Sequence, residues 1–113
     1  MQPLSLEATG NCYEDAASLL VDPFNNDYAD WTLVHGRPVL QRPPFIRYGH
    51  AWLEKDGQVY CPSTDKTMPV ELYYAIGQIT EEEMYRYNRE EARREIVEHR
   101  HWGPWKGLEA EDL

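Results

Sequence analysis

The chain has 113 residues, 42% of them hydrophobic, and a formal net charge of −9. That length fits one domain with a core of its own, without metal or disulfide staples. So acidic a chain argues against a nucleic-acid reader or a binder of anionic membrane surfaces, which need a basic face, and no segment approaches the roughly 20 apolar residues of a membrane span.

The N-terminus, MQPLSLEATG, has no basic region and no long apolar block. No secretory leader is therefore expected, and the expected compartment is the reducing cytoplasm, where two cysteines stay thiols. The first ten residues read as irregular. Asn11 then stands as a helix N-cap, with Glu14 and Asp15 in the first turn. The helix is expected over residues 12–21, with Cys12, Ala16, Leu19 and Leu20 on its inward stripe. Asp22-Pro23 ends it, because a residue before proline disfavours helical geometry.

Residues 31–35 (Trp-Thr-Leu-Val-His) read as a strand broken by Gly36. Residues 39–41 continue or pair with it, and Arg42-Pro43-Pro44 is a loop. A second strand is expected over residues 47–54. Asp56-Gly57 is a two-residue hairpin signal, and residues 59–61 form the return strand, stopped by Pro62. A polar loop fills residues 63–69. Residues 70–76 fit a helix or a strand, and a further strand is expected near residues 84–87. Asn88 with Glu91 makes a capping box for a helix over Arg89–His99, with Ala92, Ile96 and His99 turned inward. Gly103-Pro104 ends that region, the Trp102–Trp105 aromatics dock on the core, and residues 106–113 form an acidic, mobile tail. One domain spans residues 1–113.

Three segments carry the chemistry: Gly10-Asn11-Cys12-Tyr13, Gly49-His50-Ala51-Trp52-Leu53-Glu54 and Val59-Tyr60-Cys61-Pro62-Ser63. A cysteine at a helix start sits beside partial positive charge and unpaired N–H groups, which lower its pKa. The N–H groups around Asn11 and Tyr13 would also hold an oxyanion. A histidine can take the thiol proton and return it to a leaving group, and a third polar group can orient the ring. With Asp56-Gly57 as the turn, Lys55 faces Gln58, so His50, Trp52, Cys61 and Ser63 fall on one face of the hairpin. If the first helix packs on that face, Cys12 meets His50.

These segments resemble the papain-like and transglutaminase-like cysteine enzymes. The full length, with Leu72-Tyr73-Tyr74-Ala75 and Trp102-Gly103-Pro104-Trp105, also resembles a group of small bacterial and phage proteins that brings no known activity. The first resemblance implies an α+β papain-like fold: an N-terminal helix carrying the cysteine, packed on a small antiparallel sheet, plus a C-terminal helix. It implies Cys12 as nucleophile and His50 as base. The family's aspartate position is occupied by Cys61, which leaves Ser63 and Asp65 as candidates to orient the ring. No upstream glutamine for a papain-type oxyanion hole is evident, Gln2 being too distant. The activity implied is a cysteine hydrolase or acyltransferase working on an amide, peptide or thioester bond. The alternative is a catalytically silent papain-like domain, phage-encoded and binding a host or partner protein.

Plainer readings stand beside these. Cys12, Cys61 and His50 are residue types that also serve as buried core. Trp52 reads as core first and as a substrate platform second. No metal or cofactor is expected. Cys12, His50 and Cys61 lack tight ligand spacing, and His99 and His101, two apart, do not share a helix face.

Overall fold

The computed structural model describes residues 5–106, with the side chains of residues 5–11 and Glu83 left aside. The chain runs α1 (Ser5–Val21), β1 (Thr32–Gly36), β2 (His50–Lys55), β3 (Gln58–Cys61), β4 (Lys66–Pro69), α2 (Val70–Gly77), a 3-10 turn at Glu81–Glu83, β5 (Tyr85–Tyr87) and α3 (Arg89–His99). The five strands form one antiparallel sheet in the order β4-β3-β2-β1-β5. Among the described residues no helix is long and apolar enough to cross a membrane. The expected acidic tail lies outside the described residues, save Lys106.

Helices α1 and α3 cover one face of the sheet. Cys12, Ala16 and Leu20, four apart, and Tyr13 and Ala17 beside them form a buried stripe on α1. It packs on Leu33, Ala51 and Leu53 of the sheet and on Ala92 of α3, while Leu19 is only half-buried. Each fully buried leucine here contributes about 1.5–3 kcal/mol relative to an exposed one. The opposite face holds Val34, Trp52, Val59, Cys61 and Ile79, with Tyr73 and Tyr74 of α2 packed against them. Gly36 is required there, because a Cβ on it would lie 2.5 Å from the Trp52 ring.

Several expectations hold closely. The hairpin turns at Asp56 (φ 52°) and Gly57 (φ 79°), and Lys55 pairs with Gln58. Residues 70–77 settle as helix. The Asn88 capping box is complete, with Glu91 N donating to Asn88 Oδ1 at 2.8 Å and Asn88 N donating to Glu91 Oε1 at 2.9 Å.

Others need correction. Helix α1 begins at Ser5, so Asn11 is inside the helix and not its cap, and Cys12 is its eighth residue. Gly10 and Asn11 are poor helix formers, but propensity is a weak prior and the packed stripe that follows overrides it. The strand expected from residue 47 begins at His50. Residues 37–48 instead fold on themselves through a Val39↔Arg47 bridge and a Leu40 N to Ile46 O hydrogen bond of 2.8 Å. The polar loop after Ser63 contains β4, an exposed edge strand held by pairing with β3 and not by any apolar pattern. His99 points outward, 3.1 Å from Glu95. Trp105 is buried as expected, whereas Trp102 is exposed.

Candidate active site

His50 is the first residue of β2, where the sheet ends. Its side chain lies on the Trp52 and Cys61 face, as the alternation requires. Helix α1 does not pack on that face, as expected from the sequence, but on the opposite one. Cys12, on the α1 face, still acts electrostatically on the His50 ring at the end of the strand.

The imidazole is held between two thiols. Nε2 lies 3.3 Å from Cys61 Sγ, and the Cys12 thiol is close enough to favour the charged ring. Cys61 Sγ in turn lies 3.4 Å from Ser63 Oγ. Nδ1 is buried and has no hydrogen-bond partner among the described residues. All three reacting groups are inside: Cys12 is 0% exposed, Cys61 3% and His50 6%. The cysteines are thiols and not a disulfide.

Electrostatics follow from that contact. Burial alone would depress His50, but hydrogen bonds to Cys12 and Cys61, and the charge those thiols can carry, raise it to about 9. Burial alone would raise Cys61. The hydrogen bond and charge of His50, with help from Ser63 and Thr64, bring it down to about 6. Both shifts favour a Cys61 thiolate beside a His50 imidazolium. Position 61 offers no carboxylate but carries a thiol whose anion the neighbouring ring favours.

Two tyrosines missed in the sequence complete the surroundings. Tyr48 tilts its ring 5.5 Å from that of His50, and burial followed by the two thiols raises its pKa. Tyr73 of α2 packs edge-on to Trp52 at 5.2 Å, and burial, followed by the Cys61 charge, raises its pKa. Tyr48 was detectable, because it is two residues before His50 and so on the same side of an extended chain. Tyr73 carried no such signal while residues 70–76 fitted either helix or strand.

The other candidates fall elsewhere. Asp65 accepts from Tyr60 Oη at 2.9 Å and does not orient His50. Ser63 reaches Cys61, not the ring. Trp52 is fully buried, with Nε1 donating to Glu54 Oε2 at 2.9 Å, so it is core and not an open platform. Asn11 and Tyr13 lie past the first turn of α1, where backbone N–H groups bond to carbonyls four residues back. They supply no oxyanion hole and no helix-start field at Cys12. Tyr13 belongs to a separate aromatic box, edge-on to His35 at 5.0 Å, with Tyr87 and Trp105 on other sides. His35 is fully buried with neither ring nitrogen hydrogen-bonded, and burial lowers its pKa to about 3. Among the described residues no group of three or more His, Cys, Asp or Glu side chains is placed to hold a metal ion.

No protein-family model, curated protein or solved structure was found to match the chain.

Proposed function

We propose that the chain is a papain-like cysteine hydrolase or acyltransferase acting on an amide, peptide or thioester bond. The observation that supports this reading is the single imidazole held between Cys12 and Cys61. In it, His50 returns its proton to Cys61 and takes the Cys12 proton as the Cys12 sulfur attacks the carbonyl carbon. The imidazolium of His50 gives its proton to the departing nitrogen or sulfur, leaving an acyl thioester on Cys12. His50 then takes a proton from water, or from an acceptor, as that group attacks the thioester. Cys61, 3.3 Å from Nε2, orients the ring, the part an aspartate plays in related triads.

A second reading, a silent papain-like domain that binds a partner protein, is favoured by one observation. Cys12 is fully buried in the middle of a helix, with no helix-start activation. A chloroacetamide probe separates the two. The enzyme reading expects labelling of Cys12 near neutral pH, lost in a folded His50→Ala variant. Labelling that is equally slow in both proteins favours the silent domain.

A further inference from the structure

The stretch from Trp31 to Leu53 contains Arg37, Arg42 and Arg47 and not one Asp or Glu. It carries a formal +3 in a chain of −9. All three arginines sit on the loop over residues 37–48, Arg42 exposed and the other two half-buried, and the loop's shape is fixed by its own hydrogen bonds. Phe45 N donates to Arg42 O at 2.8 Å, Tyr48 N to Pro38 O at 3.1 Å, and Arg47 Nη1 to Arg37 O at 2.7 Å. At its tip Phe45 and Ile46 face solvent, 60% and 56% exposed, and Arg42 is exposed beside them. The Gln41 side chain ties the loop to α2 by donating to Ile76 O at 2.8 Å. Leu72 and Ile76, one turn apart on α2, add apolar surface, 49% and 44% exposed.

We propose that this loop is a docking surface for an acidic polypeptide segment carrying apolar side chains, and that it delivers the segment to His50. Charge complementarity selects the occupant. The chain is acidic overall, whereas the loop carries basic residues and no acidic one, so an acidic partner is favoured at the loop. The exposed Phe45 and Ile46 then require apolar groups on the partner, which a bare phosphate backbone does not offer. The loop also ends at the site: Tyr48 is its last residue, its ring touches that of His50, and the Arg42 charge acts on its hydroxyl. The delivery step rests on the thiol-chemistry reading and names its substrate class. The docking step stands without it.

The test uses the whole chain and a short fluorescein-labelled peptide of alternating Glu and Leu, read by anisotropy. The wild-type protein should bind it, more weakly as salt rises. Combined Arg42→Glu and Phe45→Ser should lower the affinity about tenfold. If that variant is not folded by circular dichroism, Arg42→Gln alone should still lower it severalfold. A Lys–Leu peptide, drawn to the acidic surface elsewhere, should bind no more weakly to the variant. No binding of the Glu–Leu peptide, equal affinity in the folded variant, or tighter binding of single-stranded RNA would overturn the docking surface. Cys12→Ser distinguishes the two layers. Peptide bound by this variant, with no Cys12 labelling in the wild type, means that the chemistry failed and the docking held. Cys12 labelled and no peptide bound means the reverse.

Discussion

Acidification from pH 7 to pH 4 should destabilise the protein largely through His35. The ring is fully buried in its aromatic box, without a hydrogen bond on either nitrogen, and burial holds it neutral down to about pH 3. An unfolded histidine takes up its proton near about 6.5. Between those values the unfolded state binds one proton more than the fold, so stability falls as pH falls. The gap is about 3.5 pH units, which at about 1.36 kcal/mol each amounts to about 5 kcal/mol, with about 3 kcal/mol of it lost by pH 4. A domain of this kind has roughly 5–15 kcal/mol in all. Carboxylates also titrate here: Asp30 and Glu81 are held below their ordinary range by hydrogen bonds from Lys55 and Arg86. A His35→Phe variant cancels them, since it keeps every carboxylate and the Cys61–His50 pair and fills the box with a ring that does not titrate. Urea unfolding of both proteins at pH 7 and pH 4 gives the difference. The wild type should lose about 3 kcal/mol more than the variant. An equal loss in both would refute the reasoning and mean that His35 is not kept neutral by its surroundings.

Gly36→Ala places a Cβ 2.5 Å from the buried Trp52 ring, so urea unfolding should show a loss of about 1–3 kcal/mol; an unchanged midpoint would mean that Trp52 can move aside. Asn88→Ala removes the acceptor for Glu91 N, and hydrogen exchange should report the first turn of α3 weakened by about 1 kcal/mol. In a Cys12→Ser variant the remaining thiolate, followed by absorbance, should form as pH rises through about 6. Adding His50→Ala should return it to the ordinary thiol range or above, because burial then acts alone. A thiolate that forms near 9 with His50 present would remove the anion from the site.

Elements with a strong local signal were legible in the sequence. Asp56-Gly57 set the hairpin register, the Asn88 and Glu91 pair set the start of α3, and strand alternation put His50 and Cys61 on one face. What was illegible depended on tertiary contacts. Asn11 looks like a cap locally, but Gly10 and Asn11 are carried inside α1. Strand β4 has almost no apolar content and exists because β3 offers it an edge. The face on which α1 packs could not be chosen from the sequence, since both faces of the sheet carry apolar residues. The same limit hid the contact of Cys61 with His50. A thiol in an acid's position looks like a loss until the imidazole 3.3 Å away is known to favour its anion.

The most direct measurement is an NMR titration of the His50 ring, with nitrogen-15 shifts reporting its charge. A ring held between two thiols should remain imidazolium at neutral pH and lose its proton only near about 9. Cys61→Ser should bring that value down, because the neighbouring anion is gone. A His50 ring that titrates near the ordinary value of 6.5 or below it, with no response to Cys61→Ser, would contradict the thiolate–imidazolium centre.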